Sequence, residues 1–143
     1  MTPVPATPPG ELRPRILVVE DEFLIRCMIS DELRDVGYGV IEACSADEAV
    51  ELLTTGAPID FLISDVRMPG RMNGLDLLKF VRRVSPDIPV LMMSAHLDPK
   101  DAMLDGATRF LAKPFAFSEV LDVVKSSLEK SLWPTSSLLR PLC

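Results

Sequence analysis

Short apolar runs alternate with amphipathic segments along the chain from Arg15 onward. Several of the runs are continuously apolar, and four carry the β-branched residues that strands favour. Continuous rather than alternating runs are typical of strands that are buried on both faces, as in a parallel sheet. The pattern therefore predicts five strands, in the runs ILVV (16–19), GVIEA (39–43), FLIS (61–64), PVLMMS (89–94) and RFLA (109–112).

Segments with helical spacing lie between and after these runs. The first ends at Val36, and the following Gly37 is a plausible helix stop. Ser45 followed by Glu48 is the pattern of a capping box at the start of the second. Two more carry the apolar stripes Leu75, Leu78, Val81 and Phe117, Leu121, Val124, Leu128, Leu132, and residues 99–105 carry the least helical pattern. Strands alternating with helices predict an α/β fold: a doubly wound five-stranded parallel sheet with helices on both faces.

The two ends of the chain differ from this pattern. Residues 1–14 contain five prolines and almost no apolar periodicity, which predicts a disordered or extended arm. Residues 15–131 fit a single domain with its own core. Residues 132–143 are more apolar than a solvated tail requires, so a frayed tail, packing onto the domain and support of a homodimer all remain open.

Composition narrows the classes of partner. The net charge is −6 and the pI is near 4.7, which disfavours unaided binding to nucleic acid or to anionic membrane. No apolar run approaches the length of a membrane span. The three cysteines show no metal-binding spacing, and no signal peptide precedes them, so free thiols in the cytoplasm are expected.

Polar side chains follow four of the five predicted strands at the point where each strand ends. The carboxyl ends of parallel strands meet at one edge of the sheet, and ligands bind at that edge in open parallel sheets. One polar strand end is ordinary, whereas four with complementary chemistry indicate a site. They supply the carboxylates of Glu20, Asp21 and Asp65, the hydroxyl of Ser94 and the amine of Lys113.

These groups suggest a particular chemistry. Three carboxylates in one crevice repel each other, and either protons or a bound cation relieve the repulsion. Carboxylate oxygens and water are the ligands that Mg²⁺ prefers, and a metal together with Lys113 would leave a field that attracts a phosphoryl group. Asp65 is then the best-placed nucleophile, which would form an acyl phosphate. Ser94 is placed to donate a hydrogen bond to a phosphoryl oxygen.

Four segments at these strand ends together resemble the receiver domain of two-component response regulators. They are VVEDE (18–22), LISDVRMPG (62–70), MMSAH (92–96) and FLAKPF (110–115), and the resemblance runs from about Arg15 to about Lys130. It implies a flavodoxin-like sheet in the order 2-1-3-4-5. It also implies a phosphoacceptor rather than an enzyme, which takes its phosphoryl group from a histidine kinase or a histidine phosphotransfer protein.

The resemblance implies a role for each charged residue. Asp65 matches the phosphoacceptor, and Lys113 matches the lysine that pairs first with Asp65 and then with the phosphoryl group. Asp21 matches a direct Mg²⁺ ligand, together with Asp65 and the backbone carbonyl of Arg67. Glu20 matches an acid that acts mostly through metal-bound water.

A switch pair is implied as well. Ser94 and Phe110 match residues that move together, the hydroxyl toward the phosphoryl group and the aromatic ring inward into the vacated space. The ordinary expectation for a phenylalanine on a strand is a plain core side chain, and both descriptions can hold. The Lys113–Pro114 peptide is expected to be cis.

The loop after Asp65 departs from the family pattern. It reads PGRMNG, one residue longer than the family's P-x-M-D-G, with Asn73 where an acid is common. The extra residue predicts an altered loop next to the phosphoacceptor. Arg67 and His96 occupy positions that the resemblance associates with the lifetime of the acyl phosphate. We hypothesise that they shield the phosphoryl group from water or position that water.

No DNA-binding or catalytic domain follows Lys130 in this sequence, so the output is expected to come from the surface of the receiver domain itself. A stand-alone response regulator would bind a downstream protein, relay phosphate or drain it from a kinase. A degenerate receiver that binds partners without phosphorylation is the alternative. A phosphatase of the haloacid dehalogenase type needs an acid two residues after its nucleophile, where this chain has Arg67.

Overall fold

The computed structural model describes residues 13–95 and 99–132. Most of the predicted N-terminal arm, His96 and nearly all of the predicted C-terminal tail lie outside these residues. No helix in the described ranges is long and apolar enough to cross a membrane. The elements are β1 (Arg15–Val19), α1 (Phe23–Asp35), β2 (Gly39–Ala43), α2 (Ala46–Thr54), β3 (Phe61–Asp65), α3 (Gly74–Val84), β4 (Val90–Ser94), α4 (Pro99–Leu104), β5 (Arg109–Ala112) and α5 (Phe117–Leu132).

The strands form one parallel sheet in the order β2-β1-β3-β4-β5, which confirms the predicted fold class. Successive side chains of a strand point to opposite faces, so each central strand contributes to two cores. Leu17 and Val19 of β1 lie in the core beneath α2 and α3. Ile16 and Val18 lie in the core beneath α1 and α5. Burial on both faces is the physical reason for the continuous apolar runs.

Local signals fix the helix ends. Gly37 follows α1 with φ +103°, a left-handed conformation that glycine adopts at little cost, and this confirms the predicted stop. Ser45 caps α2, because its hydroxyl accepts a hydrogen bond from the Glu48 amide at 3.1 Å. The predicted box is only half formed, since the Glu48 carboxylate accepts from the amide of Cys44 at 2.7 Å rather than from that of Ser45.

Ser30 offers a stability test inside α1. Its hydroxyl is fully buried and has no hydrogen-bond partner among the described residues. Because alanine removes this unsatisfied group and is the best helix former, Ser30→Ala is expected to stabilise the protein by about 1 kcal/mol. Urea denaturation measures the change. Ser126→Ala is the control, since that hydroxyl donates to the Val123 carbonyl. A Ser30→Ala variant less stable than wild type would contradict the prediction.

Candidate functional site

Strand register brings the first two acids together. Val19 of β1 pairs with Ser64 of β3, so the next residues along each strand, Glu20 and Asp65, come side by side. Both acids are buried, and the exposed fraction is 0% for Glu20 and 6% for Asp65. Asp21 follows immediately and is exposed. The predicted convergence of the three acids at the carboxyl edge is therefore present in the structure.

Lys113 reaches this pair from the end of β5. Its Nζ lies 2.6 Å from Asp65 Oδ2 and 3.1 Å from Glu20 Oε2, so one ammonium donates to both buried carboxylates. Backbone amides supply further donors: the Glu22 amide donates to Glu20 Oε1 at 3.1 Å, and the Arg67 amide to Asp65 Oδ1 at 3.3 Å. The Lys113–Pro114 peptide is cis, as expected.

Burial and charge shift the titration of these groups. Burial raises the pKa of Glu20 to about 7, and the charge of Asp65 acts in the same direction, while the Glu22 amide and Lys113 oppose the shift. Burial alone would lower the pKa of Lys113, but its hydrogen bonds and ion pairs with Asp65 and Glu20 outweigh burial and raise it. Lys113 is therefore charged at neutral pH, and its ammonium offsets part of the repulsion between the two acids.

The acids also fit a divalent cation. Ligand oxygens of Glu20, Asp21 and Asp65 all lie within 4.8 Å of one another. An all-oxygen donor set of carboxylates that opens to solvent suits Mg²⁺, which retains several waters. A cavity of about 220 Å³ opens here, lined by Asp21, Glu22, Asp65, Arg67, Ser94, Ala95 and Lys113. The chemistry of the donor set matches the metal that the sequence predicts.

The predicted switch residues lie on neighbouring strands. Ser94 pairs with Ala112 across β4 and β5, and Phe110 lies two residues before Ala112, so both point to the same face of the sheet. Ser94 is 2% exposed and lines the cavity. Phe110 is half-buried and packs against the core beneath α2 and α3. The position of Phe110 agrees with a core role, and its movement remains a prediction.

The loop that follows Asp65 closes tightly beneath the site. The Gly74 amide donates to the Val66 carbonyl at 2.8 Å, and a Cβ on Gly74 would lie inside contact distance of the Asp65 carbonyl oxygen and 2.8 Å from Val66 Cα. Asn73 caps α3 in a reciprocal capping box with Asp76. The asparagine at the family's acidic position therefore retains a structural role, since its side-chain oxygen accepts from the Asp76 amide at 2.9 Å.

Two residues that support this site are not identified by the sequence pattern. Gly74 enters only as part of a motif, although it permits the close approach to the Asp65 backbone. Arg26 of α1 belongs to no motif, yet its guanidinium donates to the Glu20 carbonyl at 2.8 Å. A contact between a helix side chain and a strand-end carbonyl leaves no periodic signal, so the pattern of the sequence does not reveal it.

Removing the ammonium of Lys113 tests its role in charge balance. Lys113→Met leaves the carboxylates of Glu20 and Asp65 without their shared counter-ion. Because the two buried acids then repel each other, the free energy of unfolding is expected to fall by about 2 kcal/mol. Mg²⁺ is expected to raise the melting temperature of this variant more than that of wild type. Lys125→Met is the control on the exposed side of α5. An equal loss of stability and an equal response to Mg²⁺ in Lys113→Met and Lys125→Met would contradict the role of Lys113 in charge balance.

The fold and the chemistry of the sheet edge define a class of protein: a flavodoxin-like α/β domain with an acidic, lysine-bridged pocket at the carboxyl edge of its sheet. The chain belongs to the response regulator receiver domain family, whose sequence model matches residues 16–125. The resemblance noted in the sequence is thereby confirmed.

Curated relatives differ in how much of their length the chain matches. Sporulation initiation phosphotransferase F of Bacillus subtilis is 32% identical over 117 residues, which cover 80% of this chain and 93% of that protein. A probable transcriptional regulatory protein of Picosynechococcus sp. is 36% identical over 125 residues, which cover 81% of this chain and 49% of that protein. The chain spans about half or less of the length of several such regulators.

Solved structures agree with the fold. Chemotaxis protein CheY4 from Vibrio cholerae is 34% identical with a TM-score of 0.73, and the match covers 81% of this chain and 99% of that one. The receiver domain of NtrX from Brucella abortus is 34% identical with a TM-score of 0.74, and the match covers 80% and 98% of the two chains.

Proposed function

We propose that this receiver domain accepts a phosphoryl group on Asp65 in a Mg²⁺-dependent reaction and signals through its altered surface. The observation that carries the proposal is the arrangement at Asp65: a buried carboxylate held by Lys113 at 2.6 Å and clustered with two further acids at the mouth of a cavity. Family membership supports the same conclusion.

The transfer follows from general phosphoryl chemistry. A carboxylate oxygen of Asp65 attacks the phosphorus of a phosphohistidine, the P–O bond forms, the P–N bond breaks, and the imidazole nitrogen leaves with the bonding pair. Lys113 changes partner from the Asp65 oxygen to the phosphoryl oxygens, which keeps its charge balanced. Mg²⁺ held by Asp21, Asp65 and the Arg67 carbonyl, with Glu20 acting mostly through metal-bound water, would neutralise the charge that accumulates on those oxygens.

Two further residues would convert the modification into a signal. Ser94 lines the same cavity, so its hydroxyl is placed to turn toward a phosphoryl oxygen. Phe110 shares its face of the sheet, and inward rotation of the half-buried ring would change the surface around β5.

Arg67 lines the cavity and is exposed, which supports the hypothesis that it limits access of water to the acyl phosphate.

The donor would be a histidine kinase or a histidine phosphotransfer protein in the cytoplasm. Sporulation initiation phosphotransferase F, which the chain matches along nearly its whole length, is a phosphotransferase by name, and this supports a relay role for this chain. Regulation of a downstream protein is the other output that the family supports, since several relatives are transcriptional regulators by name.

A small phosphodonor tests the proposal without a kinase. The protein is incubated with acetyl phosphate or phosphoramidate and Mg²⁺, and intact mass is recorded over time. We expect one phosphoryl adduct that disappears when a chelator is present, and reduction with borohydride followed by peptide mapping to place it at Asp65. Folded protein that gains no adduct under any of these conditions would overturn the proposal in favour of a receiver that binds partners without phosphorylation.

A further inference from the structure

Arg26 contacts the segment that carries the predicted metal ligands. Its Nη1 donates to the backbone carbonyl of Glu20 at 2.8 Å, and its Nε donates to Glu42 Oε1 at 3.1 Å. The guanidinium also lies 5.5 Å from the centroid of the Phe23 ring. The side chain is only 14% exposed, so its two hydrogen bonds are shielded from competing water.

The remaining polar groups of Glu20 are also engaged. Its amide donates to the Ala43 carbonyl at 3.1 Å, which continues the pairing of β1 with β2. Its carboxylate accepts from the Glu22 amide and from Lys113. Arg26 therefore completes the set of bonds that fixes the backbone at the point where the chain leaves β1, directly before Asp21.

Arg34 provides an internal comparison on the same helix. Its Nη2 lies 3.1 Å from Glu42 Oε2, so the two arginines share one carboxylate of β2. Arg34 is more exposed, with 45% of its side chain accessible, and it also contacts Asp31 and the Val40 carbonyl. The two side chains thus have the same charge and a common partner, whereas the contact with Glu20 belongs to Arg26.

We propose that Arg26 is a positioning residue for the cation site. Arg26 holds the backbone of Glu20 so that the carboxylates of Glu20 and Asp21 converge with that of Asp65. The inference rests on the proposed function, because it concerns the metal which that function requires. Glu42 acts behind Arg26, since it orients the guanidinium through the second hydrogen bond. Groups that orient a metal ligand in this way typically change metal affinity when they are removed.

Electrostatics and positioning predict opposite results for one substitution. Arg26→Met removes a positive charge near a site that binds cations, so charge alone would strengthen Mg²⁺ binding. Loss of the bond to the Glu20 carbonyl would weaken it, because the acids would no longer be held in a converging arrangement. The direction of the change in affinity therefore distinguishes the two effects, and a loss of thermal stability alone would not.

The experiment is a Mg²⁺ titration of the metal-free protein, followed by NMR shifts of the Asp21 and Glu22 amides. We expect Arg26→Met to weaken Mg²⁺ binding about tenfold, a usual loss when a group behind a metal ligand is removed. Arg34→Met is expected to leave the affinity close to that of wild type. Unchanged or tighter binding in Arg26→Met would overturn the proposal, and so would an equal loss in Arg34→Met.

A folding failure and a failure of the proposed function are distinguishable from a failure of the role of Arg26. If Arg26→Met does not fold, Arg26→Lys decides, because a single ammonium cannot reproduce the fork of a guanidinium on two acceptors. Wild-type affinity in Arg26→Lys would then overturn the proposal. If the wild-type protein itself shows no response to Mg²⁺, both the metal-dependent function and the role of Arg26 fail. If wild type responds and Arg26→Met responds equally, only the role of Arg26 fails.

Discussion

Replacing Asp65 with asparagine is expected to abolish the phosphoryl adduct completely. An amide oxygen is a poor nucleophile and cannot form an acyl phosphate, and the substitution would also remove one of the three carboxylates that cluster for a cation. The two side chains are nearly the same size, so the fold should be preserved. The measurement is intact mass after incubation with acetyl phosphate and Mg²⁺, together with the melting temperature.

Asp122→Asn is the matched control for this experiment. Asp122 is an exposed acid on α5, so its replacement is expected to leave the adduct unchanged. An adduct of equal size in Asp65→Asn would show that another residue is phosphorylated. Loss of the adduct in both variants would point to the change in total charge rather than to Asp65.

A methyl group at Gly74 is expected to have the largest effect on stability. In Gly74→Ala the new Cβ would collide with the Asp65 carbonyl oxygen and lie 2.8 Å from Val66 Cα, and both are backbone atoms that cannot rotate away. Overpacking of this kind costs about 3 kcal/mol or more when no flexible side chain can yield. Relief of the clash would also move the Asp65 backbone, so we expect slower phosphorylation as well as a lower melting temperature.

Gly39→Ala separates this effect from the general cost of replacing a glycine. A Cβ at Gly39 would lie 3.5 Å from Arg15 Cγ, an ordinary contact with a flexible side chain. We therefore expect the stability of Gly39→Ala to stay within about 1 kcal/mol of wild type. If Gly74→Ala were as stable as Gly39→Ala, the close approach of α3 to the Asp65 backbone would not constrain the site.

The fold was predictable because burial leaves a strong trace in the sequence. The apolar runs of β1, β3 and β4 are continuous since these strands face a core on each side, and the polar residues that follow them mark the carboxyl edge. The acids and Lys113 were predictable for the same reason: strand ends align in a parallel sheet. Register then brings Glu20 beside Asp65 without further information.

Other features depend on contacts that no short pattern encodes. The contact of Arg26 with Glu20 depends on how α1 lies against the end of β1, and its partner Glu42 is distant in sequence. The half-formed box at Ser45 depends on which amide the Glu48 carboxylate reaches. The capping box at Asn73 could be predicted from the sequence, since Asp76 follows three residues later. Comparison with the family pattern instead marks Asn73 as the replacement of an acid and does not indicate a helix cap.

Lys113 has one more consequence for the molecule. Its side chain starts at the end of β5, passes over β4 and reaches acids carried by β3 and β1, while its own amide donates to the Ser94 carbonyl at 3.0 Å. A single residue thus connects four of the five strands at one edge of the sheet. A reaction that gives this lysine a new partner therefore alters the link between β5 and the acids of β1 and β3 in the same step in which it changes charge.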